Sequence, residues 1–345
     1  MAISRNTKIG VLLTTTIVFV SMVFYGYQLF FASNFLVQKT ESQFLYIPKG
    51  AGFGQVKDSL EARKIVHDFL AFAFVSKLLG YQENVKPGAY EIRPNEANWS
   101  VIKRLRAGRQ TPIRLTFNTI RTKIQLAERM GNKLELESTD LLTLLENPEV
   151  QARYQVNSEN IISLFIPDTY EVYWTISPEA LLEKMAAAYK KFWNAERLAK
   201  AENLKLQPEQ IMTLASIVQS ETNKTDEMPR VAGVYLNRLA IGMPLQADPT
   251  VVFAVGDFSI KRVREGHKKA DSPYNTYKYT GLPPGPIAIP VRQAVDAVLN
   301  REQHDFLFFC AREDFSGYHN FTKDFNQHLK NARIYQEALN KAGIL

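Results

Sequence analysis

The chain has 345 residues, of which 46% are hydrophobic and 22% are charged. This composition excludes a disordered protein, and the length predicts two or three structural units. The formal net charge of +7 is compatible with an anionic partner, whether nucleic acid, a membrane surface or an acidic polymer.

The N-terminal segment is apolar. Residues 9–32 contain no Lys, Arg, Asp or Glu, and as a helix they would span about 36 Å, more than the roughly 30 Å of a bilayer's hydrocarbon core. A cleaved signal peptide is the alternative, but its apolar region is usually only about 7–15 residues long. We predict an uncleaved transmembrane helix. Arg5 and Lys8 precede it and predict a cytoplasmic N-terminus, with the rest of the chain outside, away from nucleic acid.

The remaining chain alternates strand and helix patterns without an internal repeat. Short strands and amphipathic helices predict a small α+β module, followed by a polar helical stretch and a larger mixed α+β domain with many turns. The fold class is therefore α+β. The predicted divisions are a cytoplasmic tail (1–8), a transmembrane helix (9–32), a spacer (33–43), the α+β module (44–117), a helical linker (118–156) and the large domain (157–345).

One predicted helix carries a carboxylate on its apolar side. Pro208 suits the first position of a helix, and Leu214 and Val218 lie on one apolar stripe. Glu221 continues that stripe, seven residues after Leu214 and three after Val218. Partial burial there would raise the pKa of Glu221 toward the value that a general acid needs. A glutamate that reaches solvent from a frayed helix end is an equally supported interpretation.

Further polar residues follow this helix. Pro229 starts another predicted helix, on which Arg238 either binds substrate or a carboxylate or forms a structural salt bridge. Asp248 precedes a proline and is either functional or a helix cap. Tyrosine and asparagine in residues 274–277 suit sugar recognition, with turn formation as the alternative.

Other chemistries lack their motifs. The histidines do not have metal-ligand spacing, and neither a G-x-S-x-G nor a phosphate-binding glycine loop is present. We therefore expect no metal and no cofactor. Cys310 is the only cysteine, and its apolar surroundings predict a buried strand with an inert thiol. The basic stretch of residues 261–269 is either a solvated loop or a surface that grips an anionic polymer or lipid.

Several ordered motifs resemble those of the YceG-like (MltG-like) endolytic murein transglycosylases. The matching segments are Leu164–Tyr170, Leu214–Thr222, Val234–Leu239, Gly242–Thr250, Tyr274–Tyr277, Gly281–Pro286, Gly317–Phe321 and His328.

The resemblance implies a LysM-like N-terminal module and an inner-membrane anchor with the catalytic domain outside. It also implies non-hydrolytic cleavage between N-acetylmuramic acid and N-acetylglucosamine in nascent strands, which leaves a 1,6-anhydro end and limits strand elongation. Glu221 falls at the position of the family's catalytic acid/base. The implied partners are peptidoglycan glycan strands, the cytoplasmic membrane and cell-wall synthases. The matched motifs predict substrate contacts from Arg238, Gln246, Asp248, Asn275, Tyr277 and His319.

The chain departs from the family pattern two residues before Glu221. Relatives often have a second acidic residue there, whereas this chain has Gln219. The sequence therefore predicts that Glu221 works without a neighbouring carboxylate. A non-catalytic protein that binds peptidoglycan and a cell-wall synthase is the alternative function.

Overall fold

The computed structural model describes residues 4–35, 42–117 and 120–343. Its α-helices are α1 (Arg5–Phe31), α2 (Phe53–Arg63), α3 (Phe69–Leu78), α4 (Asn98–Arg106), α5 (Lys123–Gly131), α6 (Ser138–Glu146), α7 (Pro148–Arg153), α8 (Pro178–Phe192), α9 (Ala195–Asn203), α10 (Pro208–Glu221), α11 (Met228–Ala240), α12 (Asp248–Val255), α13 (Arg292–Leu299) and α14 (Phe325–Lys341). Its strands are β1 (Ser33–Phe35), β2 (Gln43–Ile47), β3 (Gly88–Ile92), β4 (Glu96–Ala97), β5 (Ile113–Thr116), β6 (Thr169–Val172), β7 (Phe308–Ala311) and β8 (His319–Thr322). Short 3-10 helices occupy Ile161–Leu164 and His267–Lys269. The predicted mixed α+β class is confirmed.

Helix α1 contains most of the predicted apolar segment. It is long and apolar enough to cross a membrane, with a mean hydropathy of 2.0. Most of its side chains are exposed, whereas Leu29 and Phe30 near its end are partly buried against the core of the smaller unit. Ser4 caps its first turn by accepting a hydrogen bond from the Thr7 N–H. The hydroxyls of Thr14 and Thr16 donate to backbone carbonyls one turn earlier, so these polar groups are satisfied within the helix.

The chain divides into two compact units. The smaller comprises Met1–Leu115, Lys133–Glu135 and Tyr170–Ile176, and the larger comprises Thr116–Asn132, Leu136–Thr169 and Ser177–Leu345. The predicted boundaries at residues 43, 117 and 156 remain predictions. The stretch predicted to be a helical linker forms α5, α6 and α7, of which α6 packs against α8 of the larger unit.

The smaller unit is built around the antiparallel ladder of β2 and β3, in which Leu45 lies opposite Tyr90. Helices α2, α3 and α4 contribute apolar side chains to the same core. The prediction of a polar spacer was wrong at residues 33–35, because this segment forms β1, pairs with β4 and buries Phe35 completely. Residues 36–41 of the predicted spacer lie outside the described residues. The likeness of this unit to a LysM module stays a prediction.

The larger unit is organised around α10, which contacts α9, α11, α12 and α13. Pro208 occupies the first turn, as predicted, and the side-chain oxygen of Gln210 accepts a hydrogen bond from the Gln207 N–H over 2.9 Å at this end. Every residue from 211 to 218 is buried, so the helix is covered on all sides and not on one stripe alone. The enclosed helix provides a rigid base for the residues at its C-terminal end.

Strands β7 and β8 form an antiparallel pair against which α14 packs. In the register, Cys310 lies opposite Asn320 and Ala311 opposite His319. The predicted strand is present, but the prediction that it is buried was wrong, because Cys310 is only half-buried and lines a cavity. Burial nevertheless raises the pKa of the Cys310 thiol, which disfavours the reactive thiolate.

Candidate active site

Glu221 is the last residue of α10 and lies where the buried helix reaches the surface. Its side chain is partly buried. It lines two cavities of the larger unit, one of about 330 Å³ and one of about 670 Å³, and Asp248 lines both as well. A substrate that extends through both cavities would therefore pass over the Glu221 carboxyl.

The surroundings of Glu221 favour the protonated carboxyl. Burial raises the pKa of Glu221 to about 7, and the nearby charge of Asp248 acts in the same direction. A hydrogen bond from Tyr235 and the positive charge of Arg238 oppose this shift. A carboxyl with a pKa near 7 can both donate and accept a proton at neutral pH.

Tyr235 on α11 supplies the direct contact to this carboxyl. Its phenol donates to Glu221 Oε1 over 2.6 Å, and its ring is almost completely buried against Phe309. Burial, followed by the charge of Glu221, raises the pKa of Tyr235 well above its ordinary value, so the phenol keeps its proton. Tyr235 therefore holds one carboxylate oxygen and leaves the other for a reactant.

The prediction that Glu221 has no neighbouring carboxylate was wrong, because Asp248 lies near it. That prediction holds along α10, where position 219 is Gln, but Asp248 comes from α12 and is close enough to raise the pKa of Glu221. The phenol of Tyr277 donates to Asp248 Oδ1 over 2.6 Å. Burial and this hydrogen bond raise the pKa of Tyr277, which keeps it a donor.

The loops around Gln246 and Tyr277 are tied together through Thr276. The N–H of Gln246 donates to the Thr276 carbonyl, and the N–H of Ala247 donates to the Thr276 hydroxyl. The hydroxyls of Thr250 and Thr276 are 2.8 Å apart. Gln246 has a φ of 50°, a left-handed conformation that is unfavourable for its side chain, and it faces the smaller cavity.

Asn275 does not line either cavity. Its side chain is fully buried, and its amide donates to the carbonyls of Lys268 and Ala270, each over 2.8 Å. Its side-chain oxygen accepts from the N–H of Tyr277. The predicted substrate contact of Asn275 stays untested, and the geometry favours the alternative of turn formation.

Arg238 lines the smaller cavity but uses much of its guanidinium for structure. Its Nε donates to the Leu307 carbonyl over 2.6 Å, and Nη1 donates to the Leu245 carbonyl. The guanidinium also lies 5.5 Å from the centre of the Phe308 ring. Arg238 thus connects two loops of the cavity wall, and its positive charge acts on Glu221.

His319 lines the same cavity and is held by a buried acidic residue. Its Nδ1 is 2.7 Å from Glu227 Oε2, and its N–H donates to Glu227 Oε1. Because a carboxylate only accepts, Nδ1 carries the proton in this pair. The Thr222 hydroxyl also donates to Glu227, which connects the residue after Glu221 to His319.

The sequence therefore identifies Glu221, Arg238, Gln246, Asp248, Tyr277 and His319, all of which line the smaller cavity. It misses Tyr235 and Glu227 as site residues. Tyr235 could have been predicted as a site residue, because it lies on the same helical face as Arg238. Glu227 had no such signal, because its partner His319 lies 92 residues away. Within the described ranges, no group of three or more His, Cys, Asp or Glu could hold a metal ion.

The Glu227–His319 pair predicts a stability effect. We expect His319→Ala to lower the free energy of unfolding by about 3 kcal/mol, because it leaves a buried carboxylate without its main partner. Thermal unfolding of the detergent-solubilised chain measures this as a lower Tm. Adding Glu227→Gln should recover part of the loss, because a neutral amide is less costly to bury. An unchanged Tm for His319→Ala would contradict the assigned pair.

Known proteins are similar to this chain over most of its length. An endolytic murein transglycosylase of Streptococcus pneumoniae strain D39 is 28% identical over 326 residues, which cover 84% of this chain and 58% of the relative. The chain thus spans less than two thirds of that protein. An endolytic murein transglycosylase of Bacillus subtilis strain 168 is 26% identical over 313 residues, which cover 86% of this chain and 85% of the relative.

A solved structure shows the same fold. The crystal structure of a putative YceG-like protein from Listeria monocytogenes superimposes with a TM-score of 0.58 and 28% identity, covering 85% of this chain and 99% of the other. The model of the YceG-like family matches residues 45–334, which cover most of both units and include every candidate site residue. The chain belongs to the YceG-like family.

Proposed function

We propose that the protein is an endolytic peptidoglycan transglycosylase in which Glu221 acts first as acid and then as base. The observation that carries this proposal is the carboxyl of Glu221, with a pKa of about 7, on the wall that two cavities share. The relatives named endolytic murein transglycosylases support the substrate class.

The proposed reaction uses one carboxyl twice. Protonated Glu221 gives its proton to the glycosidic oxygen as the bond from C1 of N-acetylmuramic acid to N-acetylglucosamine breaks. The carboxylate then accepts the proton of the muramyl 6-hydroxyl, whose oxygen forms a new bond to C1. The products are a free N-acetylglucosamine 4-hydroxyl and a 1,6-anhydro ring, with Glu221 protonated again.

Because Asp248 is a second carboxylate near Glu221, a hydrolase that uses two carboxylates is the chemical alternative to the transglycosylase. Hydrolytic glycosidases use a second carboxylate as nucleophile or as base for water. Here Asp248 accepts a hydrogen bond from Tyr277, and its charge adds to the effect of burial in raising the pKa of Glu221. We propose that Asp248 tunes the acid and contacts substrate, while the sugar's own hydroxyl displaces the leaving group.

The location proposed for this reaction is the outer face of the cytoplasmic membrane. Helix α1 is long enough to anchor the chain there, with residues 1–8 inside. Cleavage within nascent strands would limit their length. A non-catalytic peptidoglycan-binding partner of cell-wall synthases is the second candidate, and synthase partners stay a prediction.

Product analysis tests the function. We expect the full-length protein to convert uncrosslinked glycan strands to fragments that mass spectrometry identifies by their 1,6-anhydro ends. Glu221→Gln should slow this reaction by about 10²- to 10⁴-fold, because an amide cannot transfer the proton. Glu209→Gln, at the other end of α10, is the matched control and should retain activity. Reducing ends formed with water would indicate a hydrolase, and strand binding without turnover would indicate the non-catalytic alternative.

The pH dependence of the activity tests the roles of Tyr235 and Asp248, which shift the pKa of Glu221 in opposite directions. The first step needs protonated Glu221, so the rate should fall as the pH rises through its pKa. Tyr235→Phe removes a donor to the carboxylate and should move this alkaline limb to higher pH. Asp248→Asn removes a negative charge and should move the limb to lower pH, each by roughly one unit. The position of the limb in kcat/KM is the measurement, and shifts in the same direction would contradict the assigned roles.

A further inference from the structure

The larger cavity beside Glu221 is lined by two basic side chains as well as two acidic ones. Apart from Glu221 and Asp248, which also line the smaller cavity, its charged lining residues are Arg121 and Lys261. The rest of the wall is mixed: the polar residues Gln219, Ser220 and Asn223 line it together with apolar residues that include Val252, Phe253, Phe258, Ile260, Val263, Ile287 and Val291. The cavity wall therefore carries two acidic and two basic side chains.

Both cations are available for a ligand. Across residues 4–35, 42–117 and 120–343, neither Arg121 nor Lys261 takes part in an ion pair. The Arg121 guanidinium lies 4.7 Å from the centre of the Phe258 ring, a contact that orients it without neutralising its charge. Lys261 is exposed at the cavity edge.

The basic lining continues into another cavity. This third cavity has a volume of about 720 Å³. It shares Ile260, Lys261 and Val263 with the larger of the two cavities that Glu221 lines. Arg262 and Arg264 also line it. Its one acidic lining residue, Glu265, is paired with Lys268 over 2.7 Å, so the cavity remains cationic.

We propose that the larger cavity and its basic continuation bind the carboxylate-bearing peptide attached to the muramyl sugar, and that Arg121 and Lys261 pair with those carboxylates. This inference rests on the proposed function. The apolar residues of the wall suit alanyl methyl groups, its amide and hydroxyl side chains suit peptide groups, and guanidinium and ammonium groups are the usual partners of carboxylates. A volume of about 670 Å³ lies in the range of small-molecule sites of roughly 300–1,000 Å³, and it exceeds what the single lactyl carboxylate of a stripped strand would fill.

Matched substrates test the proposal. The full-length protein in detergent is given uncrosslinked strands that carry their peptides and the same strands after an amidase has removed the peptides. We expect the unmodified protein to show a several-fold higher kcat/KM on the peptide-bearing strands. Arg121→Gln and Lys261→Gln should each reduce this ratio about threefold to fivefold, and higher salt should reduce it in the unmodified protein.

Control variants separate charge from packing. Arg121→Lys keeps the positive charge and should retain most of the ratio of the two kcat/KM values. If loss of Arg121 instead loosened the loop at Phe258, both Arg121→Gln and Arg121→Lys would lower kcat/KM on both substrates. Lys191→Gln, an exposed lysine outside these cavities, should leave the ratio unchanged. Lys261 has an exposed side chain, so Lys261→Gln gives a reading even if the Arg121 variants fold poorly.

The outcomes distinguish this inference from the function on which it rests. Equal activity of the unmodified protein on both substrates, or an unchanged ratio in Arg121→Gln and Lys261→Gln, would overturn the peptide site. Equal slowing on both substrates by Lys261→Gln, or by Arg121→Gln but not by Arg121→Lys, would point to the lactyl carboxylate as the ligand and would also overturn it. Absence of anhydro products from either substrate would instead refute the proposed transglycosylase.

Discussion

The partial burial of one carboxyl is the interaction on which the site depends. Glu221 ends a helix whose preceding residues 211–218 are all buried, so its carboxyl loses water that only a few groups replace. Tyr235 replaces part of that solvation with a 2.6 Å hydrogen bond, and Asp248 adds a repulsive charge. The balance leaves the pKa of Glu221 at about 7, between the values of an exposed and a fully desolvated carboxyl.

Helix α11 maintains this balance. Tyr235 and Arg238 project from it into the smaller cavity, and Glu227 stands immediately before its first residue. Arg238 connects to the Leu245 and Leu307 carbonyls, and Glu227 connects to His319 and to the residue that follows Glu221. A shift of α11 would therefore disturb the Glu221 carboxyl, its hydrogen-bond donor and the cavity wall together, so the proposed active site is preorganised by this helix.

Much of this arrangement could be predicted from sequence because it is local. The spacing from Leu214 to Glu221 puts the glutamate on the apolar stripe of a helix but leaves the burial of its carboxyl open, and the ordered motifs include most residues of the smaller cavity. Contacts across long separations could not be predicted. Asp248 acts on Glu221 from another helix, and Glu227 pairs with His319 across 92 positions of the chain.

The same distinction applies to the fold. The apolar segment of residues 9–32 and the mixed α+β class follow from composition and periodicity. Strand β1 was missed because three residues are too few for a periodic signal, and their burial depends on pairing with β4. The cavity beyond Glu221 was also not predictable as a unit, because Arg121 and Lys261 are 140 positions apart in the chain.

Direct titration of the Glu221 carboxyl tests the account at its centre. Carbon-13 NMR of the chain labelled at glutamate side-chain carboxyls, with Glu221→Gln to assign the signal, measures this pKa without requiring turnover. The account predicts one glutamate with a midpoint near 7 that is missing from the variant. A midpoint near the ordinary value of 4.5 would contradict it, because Glu221 would then be ionised at neutral pH and unable to act as the acid.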